Sequence, residues 1–226
     1  MANFTQQQAQ IYKAHLRGHF ETDSHRCLAT FNFETYQEES RKPYKKLQLL
    51  NEEVLAAKIT IQETVDQVTG ILLIPLIGAI DCITGTESYF ITVGQCFFFT
   101  AQAGGSFAIQ NPYEKEQVNY LQIRIKLTDV IPDKKVYSFD LSHKNEMIPT
   151  IQNPEFSFRI GMYTARAEDS YQPENKSNGI FALVLNGAFE FQNRLIEDRD
   201  GLAIDATETI EFESLTENSI LLLLEM

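Results

Sequence analysis

Few residues in this chain have the type and spacing that chemistry requires. Four histidines (His15, His19, His25, His143) and three cysteines (Cys27, Cys82, Cys96) are the obvious metal or nucleophile candidates. His15 and His19 stand four apart and would share one face of a helix, an arrangement zinc sites use. Gly18 between them weakens that helix, and only Asp23 and His25 lie near enough to help, so the ordinary reading is an edge strand or loop. Cys27 follows His25 by two residues, but no third group completes a nucleophile motif, and a buried thiol is the plainer expectation. No C-x-x-C pair or G-x-S-x-G is present, and Gly104-Gly105-Ser106 has no Lys-Ser/Thr after it to make a phosphate loop.

Composition narrows the classes further. The chain has 226 residues, 19 basic and 31 acidic, for a net charge of −12. Such a charge repels phosphate backbones and anionic membrane surfaces, which disfavours nucleic-acid binding. Arg41-Lys42-Pro43-Tyr44-Lys45-Lys46 is the one basic run and reads as a solvated loop. An odd cysteine count without paired spacing argues against a disulfide framework and suits a reducing interior. The N-terminus lacks a charged segment followed by an apolar block, so no signal peptide is expected, and a cytoplasmic location follows as the default. Ile71 to Ile83 is broken by Pro75, Gly78 and Asp81 and is too short to cross a bilayer.

The elements that must position any site read as β almost throughout. Apolar Leu28, Phe31 and Phe33 predict a strand ending near Tyr36, and Leu47 to Leu50 predicts a second. Asn51-Glu52-Glu53 is expected to be a turn. Ile59 to Thr69 alternates imperfectly, with Thr64, Asp66, Val68 and Gly70 on one face. Ile71 to Ile80 is apolar at nearly every position, as in a strand covered on both faces. Gly78 then marks a bend. Phe156 to Tyr163 alternates as a strand, Glu168 to Asn178 reads as an exposed loop, and Asn3 to Arg17 is the one plausible long helix.

The chain also looks duplicated. Gly70-Ile71-Leu72 and Leu76-Ile77-Gly78-Ala79-Ile80-Asp81 return, 109 residues later, as Gly179-Ile180-Phe181 and Leu185-Asn186-Gly187-Ala188-Phe189-Glu190. An all-β chain of two tandem barrels follows, with an N-terminal domain over 1–128 and a C-terminal one over 129–226.

Specific motifs give that architecture a family. Arg17-Gly18-His19, Thr30-Phe31-Asn32-Phe33 with Tyr36, Asn51-Glu52-Glu53-Val54, the segment Gly94 to Asn111 and Leu121-Gln122-Ile123 resemble the pirin-like bicupins in order and spacing. Asp200-Gly201-Leu202-Ala203-Ile204 and Leu221 to Glu225 resemble the family's last strands. The resemblance spans roughly residues 15 to 226 and implies two cupin (jelly-roll) barrels. It further implies one metal, usually iron, in the N-terminal barrel, held by His-x-His, a glutamate four positions on and a later histidine. Some members are similar to quercetin 2,3-dioxygenases, and others act through protein partners. Neutral imidazoles with a carboxylate suit divalent iron and leave positions open for oxygen and substrate.

Counted from Gly78 and Gly94, those four ligands fall on Thr64, Asp66, Gly70 and Phe107. All four are substituted, so the metal site is expected to be degenerate, with no cofactor and no catalytic residue at the usual place. Phe107 is expected to fill the vacated space; Asp66, facing a dry barrel, is then either satisfied by Thr64, Tyr120 or water, or marks a remaining cavity that binds a polar ligand. Thr64, Asp66, Phe107 and Tyr120 together form the candidate pocket. The expected function is a metal-free bicupin that takes a small-molecule ligand or a protein partner; the alternative is a metal-dependent quercetinase-like oxidoreductase.

Overall fold

Alternating and continuously apolar segments leave the chain little choice but sheets, and sheets are what form. The structure, a computed structural model, describes residues 8–132, 134–205 and 209–226. Among these the helical content is two single 3-10 turns, Ala14–Leu16 and Glu39–Arg41. The helix expected over Asn3 to Arg17 is absent from its described part, where Ala9–Tyr12 is a strand, β1. Isolated helices need both length and an apolar face, and Gly18 with the Gln-rich start supplies neither. Residues 3–7 lie outside the described set.

Two units divide the chain, Arg17–Phe139 and Met1–Leu16 with Asp140–Met226. The division differs from the sequence expectation at both ends. Residues 129–139 stay with the N-terminal unit because a strand within them pairs there. The first sixteen residues group with the C-terminal half, where β1 lies antiparallel to Gly201–Asp205 with Ala9 opposite Ile204.

The N-terminal unit comprises β2 (Gly18–Glu21), β3 (His25–Ala29), β4 (Leu47–Leu55), β5 (Thr60–Thr64), β6 (Thr69–Ile77), β7 (Ala79–Thr84), β8 (Glu87–Thr92), β9 (Gln95–Ala101), β10 (Ser106–Gln110), β11 (Val118–Lys126) and β12 (Lys135–Ser138). They form a seven-stranded sheet, β12-β9-β6-β11-β4-β3-β2, and a four-stranded one, β5-β10-β7-β8. β6 is buried over its first seven residues, which matches its uninterrupted apolar run. Side chains from both sheets meet in one core that includes Leu55, Leu73, Ile80, Phe97, Phe99, Phe107, Ile109 and Tyr120.

Two sequence expectations change here. β4 runs unbroken from Leu47 to Leu55, so Asn51-Glu52-Glu53 is strand rather than turn. The strand predicted from Leu28 ends at Ala29, and Phe33 to Tyr36 closes only by an isolated bridge.

In the C-terminal unit β13 (Ile148–Asn153), β14 (Phe156–Tyr163), β15 (Glu168–Tyr171), β16 (Gly179–Asn186), β17 (Ala188–Phe191), β18 (Leu195–Glu197), β19 (Gly201–Asp205), β20 (Ile210–Ser214) and β21 (Ser219–Glu225) repeat the plan. The sheets are β1-β19-β16-β21-β14-β13 and β15-β20-β17-β18. Part of the predicted loop at Glu168 to Asn178 is therefore strand β15. The duplication read from the sequence is structural: β6 to β7 and β16 to β17 each turn on one glycine, Gly78 at φ +78° and Gly187 at φ +82°. Glycine adopts that left-handed backbone without penalty. A Cβ on Gly187 would also lie 2.3 Å from Ser219 Oγ, so the position is closed twice over.

Candidate functional site

The four positions where a metal was expected are not assembled into a site. Thr64 ends β5 with its residue exposed, and Asp66 stands exposed in the bend that follows, with buried Val65 between them. Asp66 therefore faces solvent, contrary to the expectation of a carboxylate inside a dry barrel. Water solvates it there, and it needs no buried partner. Gly70 points elsewhere again: a Cβ built on it would meet Phe98 Cε2 at 2.9 Å and Leu127 Cδ1 at 3.0 Å. Phe97, Phe99 and Phe107 belong to the opposite, interior face. Of the four, Phe107 alone is inside, 2% exposed, with its ring edge-on to Phe99 at 5.2 Å. An exposed hydroxyl, an exposed carboxylate, a glycine and a phenyl ring do not make a donor set for iron. Among the described residues no group of three His, Cys, Asp or Glu side chains is arranged to hold a metal ion.

Arg124 occupies the ground between two of those positions. From β11 its Nη1 donates to the Thr64 carbonyl at 3.2 Å, and its guanidinium carbon lies 5.6 Å from the centroid of the Phe107 ring. Nη2 donates to Glu63 Oε2 at 2.8 Å. A guanidinium thus lies between two of the four expected ligand positions, Thr64 and Phe107.

From Arg124 a chain of polar groups runs along the interior face of the large sheet. With its amide nitrogen turned toward Glu53, Gln122 accepts from Arg124 Nη2 and Nε at 2.8 and 3.0 Å and donates to Glu53 Oε1 at 3.3 Å. Asn51 Nδ2 donates to the same oxygen at 3.4 Å. Glu53 Oε2 meets His25 Nε2 at 2.5 Å. The Glu53 side chain is 2% exposed and that of His25 31% exposed, so a buried carboxylate stands behind a half-exposed imidazole. Register explains the grouping. Cys27 and Tyr120 flank Glu53 on the two neighbouring strands, and alternation puts all three on the face that carries Leu55.

Each charge is tuned by its neighbours. The Glu53 hydrogen bond raises the His25 pKa, with Glu63 and Glu34 adding in the same direction and burial opposing. Burial raises that of Glu63, against the pull of Arg124. Burial, and then Glu53, raise the Cys27 thiol, which removes it as a nucleophile at neutral pH. Tyr120 is fully buried and held well above the usual phenol range. Its hydroxyl is one of several buried side-chain polar atoms that make no hydrogen bond to another protein group.

Of the predicted pocket, then, Phe107 and Tyr120 share the interior, while Thr64 contributes its carbonyl and Asp66 lies outside. The sequence reading weighed His25 only as a metal helper or a neighbour of Cys27, and it passed over Glu53, Glu63, Gln122 and Arg124 as site residues. A signal for them existed. On β4 the odd-numbered residues from Leu47 to Leu55 are all buried, so Asn51 and Glu53 fall on positions where period two demands apolar side chains. Gln122 and Arg124 interrupt the interior face of β11 in the same way.

At one end this chain reaches a cleft of about 440 Å3, lined by His25 with Thr22, Ser24, Arg26, Val54 and Gln117 among others. A second cleft, about 580 Å3, lies on the β15-β20-β17 face of the C-terminal unit among Glu168, Glu190, Glu211 and Glu213.

Known proteins share this architecture. Residues 155–226 match the quercetinase C-terminal cupin domain. YhhW from Escherichia coli, described as a bacterial pirin in its nickel(II) complex, superposes with a TM-score of 0.83 at 18% identity, over 96% of this chain and 98% of that one. The fold is that of a pirin-like bicupin. Quercetin 2,3-dioxygenase from Acinetobacter baumannii also superposes, with a TM-score of 0.69 at 13% identity, over 96% of this chain and 78% of that one. A search of curated proteins finds no match. No helix of the described residues is long and apolar enough to cross a membrane.

Proposed function

We propose that this pirin-like bicupin is a metal-free member of its fold whose N-terminal barrel binds a small polar molecule and does not act as an iron dioxygenase. One observation carries the reading: Arg124 bridges the Thr64 carbonyl, the Phe107 ring and Glu63. A resident guanidinium there supplies positive charge with fixed hydrogen bonds, and a divalent ion beside it would meet repulsion and no imidazole. The exposed and apolar side chains at the other expected positions support the same conclusion. Binding of a small molecule is favoured over a purely protein-binding role because Asn51, Glu53 and Gln122 are buried, where a flat partner surface does not reach.

Two measurements on the full-length protein test this. Elemental analysis after purification without chelator is expected to find substoichiometric metal, and quercetin is expected to open no faster than in buffer. Near-stoichiometric iron, nickel, manganese or zinc refutes the reading. In a thermal-shift screen of polar metabolites, a stabilising ligand is expected to lose its effect in Glu53→Gln and to keep it in Asp66→Ala; the reverse pattern places the ligand at the exposed bend instead.

A further inference from the structure

We infer that the tip of the β2–β3 hairpin is a proton-operated flap: a protonated His25 latches it to Glu53 on β4, and loss of that proton lets it lift from the sheet and widen the cleft beside Val54, Ala56 and Gln117. The inference concerns access to the N-terminal unit and goes beyond the proposed ligand and metal state of its barrel.

Two latches of different kinds hold the hairpin. β2 is the edge of the seven-stranded sheet and β3 its neighbour, so β4 is the strand on which the hairpin rests. Glu52 and Glu53 are consecutive on β4 and therefore project to opposite faces of the sheet. At the open end, just ahead of β2, Arg17 Nη1 donates to Glu52 Oε2 at 2.9 Å, with the two side chains 10% and 11% exposed. At the tip, His25, the first residue of β3, meets Glu53 Oε2 through Nε2 at 2.5 Å. A guanidinium keeps its charge at any working pH, whereas an imidazole loses it near neutrality. One end is pinned permanently, the other by a group that titrates.

The surroundings of His25 make that titration consequential. Glu53 is buried, and its other oxygen accepts from Asn51 and Gln122, so neutral donors alone remain to it when the imidazolium is lost. A buried carboxylate without its cation is costly, and lifting the tip admits water to it. Arg124, the next cation along the series, is bonded to Glu63 and Gln122. Glu53 favours the imidazolium most, Glu63 on β5 and Glu34 beyond β3 add to it, and burial opposes them. Burial holds Cys27 on the same face of β3, and Tyr120 on β11, in their neutral forms. On the cleft side stand Glu21, Asp23 and Arg26, with Glu21 bonded to His19 at 2.8 Å.

Backbone bonds at the two ends report the two latches separately. At the tip, Ala56 N donates to Ser24 O at 2.9 Å, joining the hairpin turn to the end of β4 across the cleft of about 440 Å3. At the base, Thr30 N donates to Leu50 O at 2.9 Å. Edge elements open locally at a lower free energy than the core, so the tip can lift without unfolding the unit.

Amide hydrogen exchange of the full chain in EDTA, resolved by NMR and normalised for the intrinsic pH dependence of exchange, reads both bonds. Protection of the Ala56 amide is expected to fall as pH rises above ~6.5, by about tenfold for each unit separating the folded from the ordinary His25 pKa, while that of Thr30 changes less than about twofold. His25→Gln and Glu53→Gln should each leave Ala56 weakly protected at every pH and remove the dependence. Arg17→Gln should lower Thr30 protection at every pH and keep the Ala56 dependence. Circular dichroism confirms that each variant is folded. In the wild-type protein alone, Ala56 protection that is constant with pH, or that falls in step with Thr30, overturns the inference, as does a dependence that survives in both His25→Gln and Glu53→Gln. Because EDTA is present throughout and no ligand is added, each of these results leaves the metal-free reading standing.

Discussion

Replacing Gly70 by glutamate is the most direct way to ask whether the expected ligand positions converge. A residue at position 70 projects from β6 toward Phe98 and Leu127, where a bare Cβ already stands 2.9 and 3.0 Å from side-chain carbons. Forcing extra atoms into such a contact costs about 1–3 kcal/mol. Burying a carboxyl among a phenyl ring and a leucine without a partner adds about 1–3 kcal/mol on the mutational scale. Removing a strand glycine returns about 0.5–1 kcal/mol of backbone entropy. Gly70→Glu should therefore destabilise the N-terminal unit by roughly 2–5 kcal/mol, a large part of a typical domain's stability of about 5–15 kcal/mol. The chain has no tryptophan, so urea unfolding is best followed by far-UV circular dichroism and tyrosine fluorescence. The combined Thr64→His, Asp66→His, Gly70→Glu and Phe107→His variant should unfold more readily still and bind no metal, because its donors face solvent, the far side of β6 and the barrel interior. A Gly70→Glu protein within about 1 kcal/mol of wild type, or a folded quadruple variant carrying one iron per chain, would refute this placement of the side chains.

Two further outcomes are expected. Asp200 is buried and accepts from Lys13 Nζ at 2.6 Å, Ala14 N at 2.8 Å and Glu197 N at 3.0 Å, so Asp200→Ala should cost the C-terminal unit about 2–4 kcal/mol in urea unfolding and open the N-terminal segment to proteases; most of that loss comes from the two stranded amides, since the Lys13 side chain is a third exposed and rehydrates. His25 has a folded pKa above its ordinary value, so its stabilising contribution is complete below pH ~6.5 and lost as pH rises through the folded value; the urea midpoint of the N-terminal unit should fall as pH rises above ~6.5, and Glu53→Gln should flatten that slope.

Fold was largely legible in the chain, and the site only in part, for reasons visible at particular residues. Ile71 to Ile80 and Phe156 to Tyr163 declare their strands because burial on one or both faces constrains every residue in them. Gly78 and Gly187 declare the repeat because only glycine fits those turns. Residues 8–16 gave no such signal: their place is fixed by antiparallel pairing of Ala9–Tyr12 to β19 and by Asp200, partners nearly two hundred residues away. Glu53 was hidden by its own neighbours, since Asn51-Glu52-Glu53 has the composition of a turn while its alternation is that of a strand. Arg124 could not have been connected to Thr64 and Phe107 without knowing that β5, β10 and β11 bring them together. Asp66 was misplaced because period two was extended past Thr64, where the chain bends and the alternation ends.

By register the C-terminal counterpart of Tyr120 is Leu221, and Tyr163 stands where the N-terminal unit has Leu55. In the C-terminal unit the core is filled by Tyr163, Phe189, Phe191 and Phe212, with Tyr163 edge-on to Phe189 at 5.8 Å and to Phe212 at 5.4 Å. There the Tyr163 hydroxyl donates to Asp169 Oδ2 at 2.7 Å. In the N-terminal unit, built on the same plan, His25, Glu53, Gln122 and Arg124 form one hydrogen-bonded series on the face that carries Leu55, so a ligand of that barrel is expected to respond to substitution anywhere along it.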